Sequence, residues 1–436
     1  MSELVIKNGK LVLADKVFEG DISVDNGRIF KVGKDLSGDE VIDAGGMYVL
    51  PGLIDAHVHF REPGASSKED WVTGSHAAAS SGVTTVLDMP NTQPPTTTME
   101  LLGKKREVAQ SKSIVDYGFH FGASTENIDE LRKVEGIASV KFYMSSTTGN
   151  LLVGNDAVLF EELKILAKRD ILAIVHAENR EMIQHYTQKL IGEGRMDPEA
   201  YSDARPNICA AEAANRVIFL SKMAGNRIHL CHVSTKEEVD IVARHKSAAV
   251  TAEVCPHHLF LGRDDLRKRG SLFKTNPPLR SGDDREALWK GIHSGVIDLI
   301  ATDHAPHLRE SKEKDIWSAS SGVPGVETLL PLLLNEVNKG NLSLNQVIKL
   351  TAMNPARIFG VRNKGVIKEG FDADLVIVDL NKAKEVRNGK LFTKCGWSPF
   401  DGWKLKGWPV MTFVRGNQVF DHGNINKIRG QEVSYG

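Results

Sequence analysis

The chain of 436 residues is poor in cysteine, with only Cys209, Cys231, Cys255 and Cys395 and no CxxC pair. A disulfide scaffold is therefore excluded, and reduced thiols in a cytosolic protein are the reading that remains. Net charge is nearly absent: 55 Lys and Arg face 56 Asp and Glu, for a formal charge of −1. Without a basic field or a lysine–arginine cluster, neither nucleic acid nor a membrane surface is expected as a partner. No apolar run approaches the roughly 18 residues of a membrane span. The start, MSELVIKNGKLV, alternates like a strand and lacks the apolar centre of a signal peptide. Internal repeats, low-complexity tracts and a GxGxxG turn are missing too. What is present, 41% hydrophobic and 25% charged residues, describes a soluble, cytoplasmic, enzyme-like chain. Its 15 histidines stand out by where they fall.

Length alone suggests about two or three domains. The first fifty residues read as short strands, with Asn-Gly at 8–9 and 26–27 as hairpin turns. The last seventy-five, with GFDADLVIVDL and KGWPVMTFVRGNQVF, are again β-rich. Between about 51 and 360, apolar strands alternate with amphipathic stretches such as DAVLFEELKILAKRD and KEEVDIVARHKS. The strands are expected at 53–60, 83–89, 115–123, 138–144, 171–177, 227–234, 249–255 and 296–305. Eight such units in series argue for an α/β fold of the (β/α)8, TIM-like barrel kind. A doubly wound sheet is the alternative, but no nucleotide fingerprint follows the first strand.

Barrel enzymes carry their chemistry at the carboxyl ends of strands. Here those ends hold Asp55, His57 and His59, then Asn91, Lys141, His176, His232 and Asp303, each in or beside an apolar strand. His57 and His59 are two apart, so both imidazoles project to one face and can grip one metal ion. An HxH pair alone is weak evidence; His176, His232 and Asp303 on separate strands strengthen it. An ammonium cannot ligate a cation, but a lysine aimed at a dication pair is pushed toward its amine, which can take up carbon dioxide. The carbamate of Lys141 would then be an anion able to bridge two metals. The alternative for Lys141 is a stem packed on the barrel with its ammonium reaching outward. Asp303 can ligate a metal and take a proton from water, or simply cap the following turn. His304 faces away and is read as structural; His257 and His258, adjacent and expected to face apart, are left out of the metal set.

DAHVHFREPG (55–64) followed by DMPNT (88–92) resembles the dihydroorotases of the amidohydrolase superfamily. VKFY at Lys141, AIVHAEN at His176, LCHVST at His232, NPPLR (276–280), ATDHAPH and GVPGVET (322–328) continue the resemblance in order. It implies a layout of 1–50 and 361–436 as two parts of a small β-sandwich and 51–360 as a metal-dependent hydrolase barrel. It further implies two zinc ions, one held by His57 and His59 and the other by His176 and His232. Carboxylated Lys141 would bridge them with a hydroxide, and Asp303 would complete the first site and act as general base. Arg61, Asn91 and His307 match the clamp for a substrate carboxylate, and Asn276 the contact to a pyrimidine ring. The implied reaction is reversible hydrolysis of L-dihydroorotate to N-carbamoyl-L-aspartate, in pyrimidine biosynthesis. A homo-oligomer, or association with aspartate carbamoyltransferase, is the implied assembly.

Arg61 has a plainer alternative, an ion pair with Glu62, and the SSTTGN loop (145–150) suggests a lid over the site. Two rival functions stay open. One is a hydantoinase, dihydropyrimidinase or allantoinase, whose substrates mostly lack a carboxylate; the other is a catalytically silent structural homologue.

Overall fold

Two sheets organise the chain in this computed structural model, which describes residues 2–145 and 151–436. Strands β1 (Ser2–Val12), β2 (Val17–Asp25), β3 (Arg28–Gly33), β4 (Gly38–Asp43) and β5 (Tyr48–Pro51) come first. The barrel strands are β6 (Leu53–Val58), β7 (Val83–Asp88), β8 (Asp116–Gly122), β9 (Ser139–Tyr143), β10 (Ala173–His176), β11 (Ile228–Leu230), β12 (Val250–Val254) and β13 (Leu299–Ile300). Strands β14 (Leu375–Glu385), β15 (Lys404–Val414), β16 (Asn417–Asp421) and β17 (Asn424–Ile425) complete the set.

All eight expected barrel strands form, in sequence order and parallel. Their residues are buried throughout, as befits strands covered on both faces. The ring closes between its last and first strands through a parallel bridge of Val58 to His304. The His59 amide donates to the His304 carbonyl at 2.8 Å. Beside that bridge the buried Asp55 accepts from the Thr302 amide at 3.0 Å and the Thr302 hydroxyl at 2.5 Å. Asp55, expected among the strand-end polar groups, is thus a seam latch, and burial raises its carboxyl to about 6. Inside the ring, His120 bonds Ser139 Oγ and the Ala56 carbonyl, and Phe359 packs edge-on against both His120 and His229. The amphipathic stretches form helices at Asp156–Lys168 and Lys236–His245, the second started by a capping box of Thr235 and Glu238.

The two chain ends together build the expected β unit, its nine strands connected by continuous hydrogen bonding. Its two halves join where β5 pairs antiparallel with β14, Leu50 opposite Val376. The long β1 makes this continuity possible, pairing with β4 along its first half and with β5 along its second. Leu4, Ile22, Val49, Leu375 and Phe413 form the apolar core of this unit. Asn26-Gly27 makes the expected turn between β2 and β3, but Asn8-Gly9 does not. Asn8, at φ 56°, sits inside β1 at a bulge between Ile6 and Gly9, where its amide donates to Asp21. An Asn-Gly pair supplies left-handed backbone, which a bulge uses as readily as a hairpin.

The last residues return to the barrel, where Gln431 and Val433 exchange backbone bonds with Tyr117 of β8. Beyond Ser145, the expected lid lies outside the described residues. Among the described residues, no helix is long and apolar enough to cross a membrane.

One helix carries an uncompensated acid. The Glu162 carboxyl, on Asp156–Lys168, is fully buried with neither oxygen hydrogen-bonded among the described residues, and burial lifts it to about 8. The folded state therefore holds a proton that the unfolded chain releases above its ordinary value of about 4.3. Stability falls as pH rises from there to about 8 and is level beyond, by up to a few kcal/mol. Glu162→Gln should flatten this part of the stability–pH curve and raise the denaturant midpoint at pH 8. An unchanged slope between pH 5 and 8 would count against the assignment.

Candidate functional site

All ten residues singled out in the sequence line one cavity of about 370 Å³ at the carboxyl end of the barrel. They are His57, His59, Arg61, Asn91, Lys141, His176, His232, Asn276, Asp303 and His307. Lys68, Tyr143, Ala305 and Ser320–Gly322 complete its wall.

The strand pleat brings the two histidines after β6 to one carboxylate. Asp303 Oδ1 lies 3.2 Å from His57 Nε2 and 2.9 Å from His59 Nε2. Behind them, His57 Nδ1 donates to Glu253 at 2.5 Å and His59 Nδ1 to the Asn91 carbonyl oxygen at 2.7 Å. With its proton committed outward, His59 Nε2 presents a lone pair to an acceptor oxygen, and His57 Nε2 meets that same oxygen favourably when a proton or a metal ion lies between them. At a second pair, His176 Nε2 donates to Glu178 at 3.0 Å, which leaves Nδ1 as an acceptor 3.0 Å from His232 Nε2. An imidazole lone pair facing a carboxylate in a buried space, as at His59 and Asp303, calls for a cation between them. Imidazole nitrogen and carboxylate oxygen are donors suited to zinc, and second partners that fix each ring's tautomer are a mark of metal-ligating histidines. The residues present therefore fit a metal centre.

Electrostatics agrees. Burial opposes a charge on His57, yet Glu253 and Asp303 together raise it to about 10, the mark of a surround that demands positive charge. Burial takes His59 down to about 3 and His232 well below the usual range, so both are neutral donors. Burial alone would raise Asp303, but His57 and His59 hold it well below the ordinary carboxylate range. Lys141 is completely buried at the cavity floor, with Nζ 2.9 Å from Cys231 Sγ and 5.1 Å from the Tyr143 ring centre.

Three of the cavity residues, Arg61 (φ 63°), His232 (φ 38°) and Asp303 (φ 46°), lie in the left-handed region. Such backbone costs roughly 1–3 kcal/mol per residue and persists only where its surroundings enforce it. Buried Asp88 accepts from the Phe60 amide at 2.7 Å, and Lys105 neutralises Asp88 at 2.5 Å, which anchors the chain entering Arg61.

The Arg61 guanidinium is buried. It donates to the Pro306 carbonyl at 3.3 Å and to His307 Nε2 at 3.2 Å, and no carboxylate lies within 4 Å among the described residues. Glu62 pairs with Lys112 instead, so the ion pair weighed for Arg61 does not form. Asn91 serves His59 as well as the cavity, and Asn276 accepts from the Tyr201 hydroxyl. His304 is structural as expected: Nε2 meets Glu69 at 3.3 Å and Nδ1 accepts from the Gly325 amide.

The sequence reading missed Glu253, Glu178, Cys231 and Tyr201. Glu253 carried a signal, being the one acid in the apolar stretch AVTAEVC. Its buried carboxylate gathers His57, His229 Nε2 and the His232 amide. Glu178, two residues past His176, also pairs with buried Arg205; burial alone would raise it, but Arg205, His176 and Arg280 together lower it to about 2.

Glu253→Gln keeps the shape but removes the charge behind His57. Metal retention should weaken roughly 10- to 100-fold, measured by competition with a chelator. Equal retention in both proteins would show that Glu253 has no hold on the centre.

The model of the amidohydrolase family matches residues 48–419. A dihydroorotase of Halobacterium salinarum is 43% identical over 90% of this chain and 91% of its own. That of Methanosarcina acetivorans is 41% identical over 99% and 95%. An L-hydantoinase of Paenarthrobacter aurescens is 35% identical over 98% and 96%. Among solved structures, the L-hydantoinase (dihydropyrimidinase) from Arthrobacter aurescens superposes with a TM-score of 0.96 at 34% identity, covering all of both chains. The matched span holds the whole barrel and every residue of the cavity, and the chain is a member of the amidohydrolase family.

Proposed function

We infer that the chain is a dihydroorotase, a hydrolase that opens a cyclic amide bearing a carboxylate. The observation that carries this reading is Arg61: a buried guanidinium with no carboxylate within 4 Å among the described residues, beside a donor cluster suited to metals. Dihydroorotate offers the missing carboxylate, and hydantoins mostly do not. The several dihydroorotases at about 41–43% identity support the same choice over the hydantoinases, which match well as a fold.

The roles follow from chemistry at each position. His57, His59 and Asp303 would hold one zinc ion, His176 and His232 a second, and carboxylated Lys141 would lie between the two. Bound there, the metal pair acidifies a water toward pKa about 7 and polarises the carbonyl to be attacked. Asp303, ionised and reaching both histidines through one oxygen, has its other oxygen to take the water's proton. It returns that proton to the amide nitrogen as the ring opens, so one carboxylate serves as base and then acid. Arg61 receives the substrate carboxylate through its fork, aided by His307 and Asn91. His307, kept neutral by burial and by Arg61, can bring a hydrogen bond without adding charge. Asn276, held by Tyr201, is positioned for the ring amide. A cytoplasmic setting fits this role, with a homo-oligomer or aspartate carbamoyltransferase as the assembly to seek.

Arg61→Ala should cut kcat/KM for L-dihydroorotate roughly 10- to 100-fold, the scale of a lost hydrogen-bonded charge. Hydrolysis of an unsubstituted hydantoin by the same variant should stay near the parent value. If the parent opens hydantoins well and dihydroorotate poorly, the assignment fails.

The carbamate reading predicts a mass gain of one carboxyl group on Lys141 in the native protein. Lys141→Ala should lose metal and activity together, and short carboxylic acids should restore part of both. An unmodified Lys141 in fully active, metal-loaded protein would falsify it.

A further inference from the structure

A second group of soft donors lies just beyond strand β12. Cys255 caps the short helix Pro256–Phe260, and His257 and His258 occupy its first turn. The alternation expected of a strand, which would turn the two rings apart, is lost in that turn: their centres are 4.3 Å apart. All three side chains are buried, at 0%, 3% and 2% exposure. Each brings one donor atom to a common space, the three within 4.8 Å of one another.

Their hydrogen bonding is deficient. Among the described residues, the thiol and four ring nitrogens have one partner in all, the Pro277 carbonyl, 3.1 Å from His258 Nε2. His258 donates there, so its Nδ1 carries a lone pair, and that atom is buried without a partner. His257 Nε2 is likewise buried and unpaired. Buried polar atoms almost always find partners, and two unpaired ring nitrogens in a group whose donor atoms converge beside a thiol require an explanation.

We propose that Cys255, His257 and His258 bind a thiophilic cation, zinc or copper(I), at a site separate from the His57–Asp303 cluster and the His176–His232 pair. Thiolate and neutral imidazole are the donor set that both ions favour. On binding, a sulfur–metal bond forms, the thiol proton leaves to solvent, and the oxidation state of the ion does not change. None of the ligands assigned to the catalytic cavity is shared. The added ion would pin the end of β12, two residues beyond Glu253, and so stiffen the support of His57.

The test compares parent protein with Cys255→Ala and Cys231→Ala, the latter a control because Cys231 lies against Lys141. Each is prepared with excess zinc, dialysed and analysed for metal per chain. Parent and Cys231→Ala should hold one more ion per chain than Cys255→Ala. Cobalt-loaded protein should show a thiolate-to-cobalt charge-transfer band that Cys255→Ala loses and Cys231→Ala keeps. An anaerobic copper(I) titration against a chelator separates the two ions: the one whose bound equivalent disappears with Cys255 is the natural occupant. Should Cys255→Ala fail to fold, His257→Asn carries the same comparison. Equal metal content with both ions and an unchanged band in Cys255→Ala would overturn the proposal, as would a band lost only with Cys231. Neither result bears on Arg61 or on ring opening.

Discussion

At the mouth of the barrel, lone pairs are made to face one another. His57, His59 and His176 each spend one ring proton on a partner behind, so their inner nitrogens cannot turn away. The fixed quantity is the orientation of the rings, set by Glu253, Asn91 and Glu178. The rest of the cavity follows from it: a carboxylate aimed at two imidazoles, a buried lysine beneath, and left-handed backbone at Asp303 and His232. A cation bound there would relieve what is otherwise mutual repulsion in a medium too dry to screen it.

The scaffold meets this demand by distributing the groups over different strands. No single strand could orient five donors toward one point, since alternate side chains leave its face. The ring of parallel strands turns that limitation into convergence, and the Asp55–Thr302 latch holds the seam next to which His57, His59 and Asp303 lie. Strain in the loops is tolerable because the strands beneath are wholly buried and the pair of Asp88 with Lys105 fixes the exit toward Arg61.

The barrel was legible because its signals are periodic: apolar runs of strand length alternating with amphipathic stretches, six of the eight runs carrying a polar or titratable group at or near their ends. His57, His59, Lys141, His176, His232 and Asp303 could be named from that pattern, and family resemblance supplied Arg61, Asn91, Asn276 and His307. Glu253 and Glu178 were not legible as partners, because what they do depends on which ring they meet across the barrel rather than on local spacing. Asn8-Gly9 misled for a local reason, since left-handed backbone suits both a turn and a bulge. At His257-His258, a strand rule was applied where the chain had already begun to coil into a helix. The single sheet at the chain ends depends on a long-range pairing, β5 with β14, which alternation alone does not specify.

Trp397, far along the chain between β14 and β15, is fully buried and its indole N–H donates to the His307 carbonyl at 2.8 Å. Nearby, Thr393 and Lys394 bond to Glu69, the partner of His304. The cavity loop that carries His307 is thus underpinned by sequence nearly a hundred residues downstream, outside the barrel strands. Exchanging that loop between relatives of different substrate preference is consequently not a local graft. A chimera that moves residues 303–308 without 391–398 parts the His307 carbonyl from its indole and leaves the donor loop to settle on a foreign foundation.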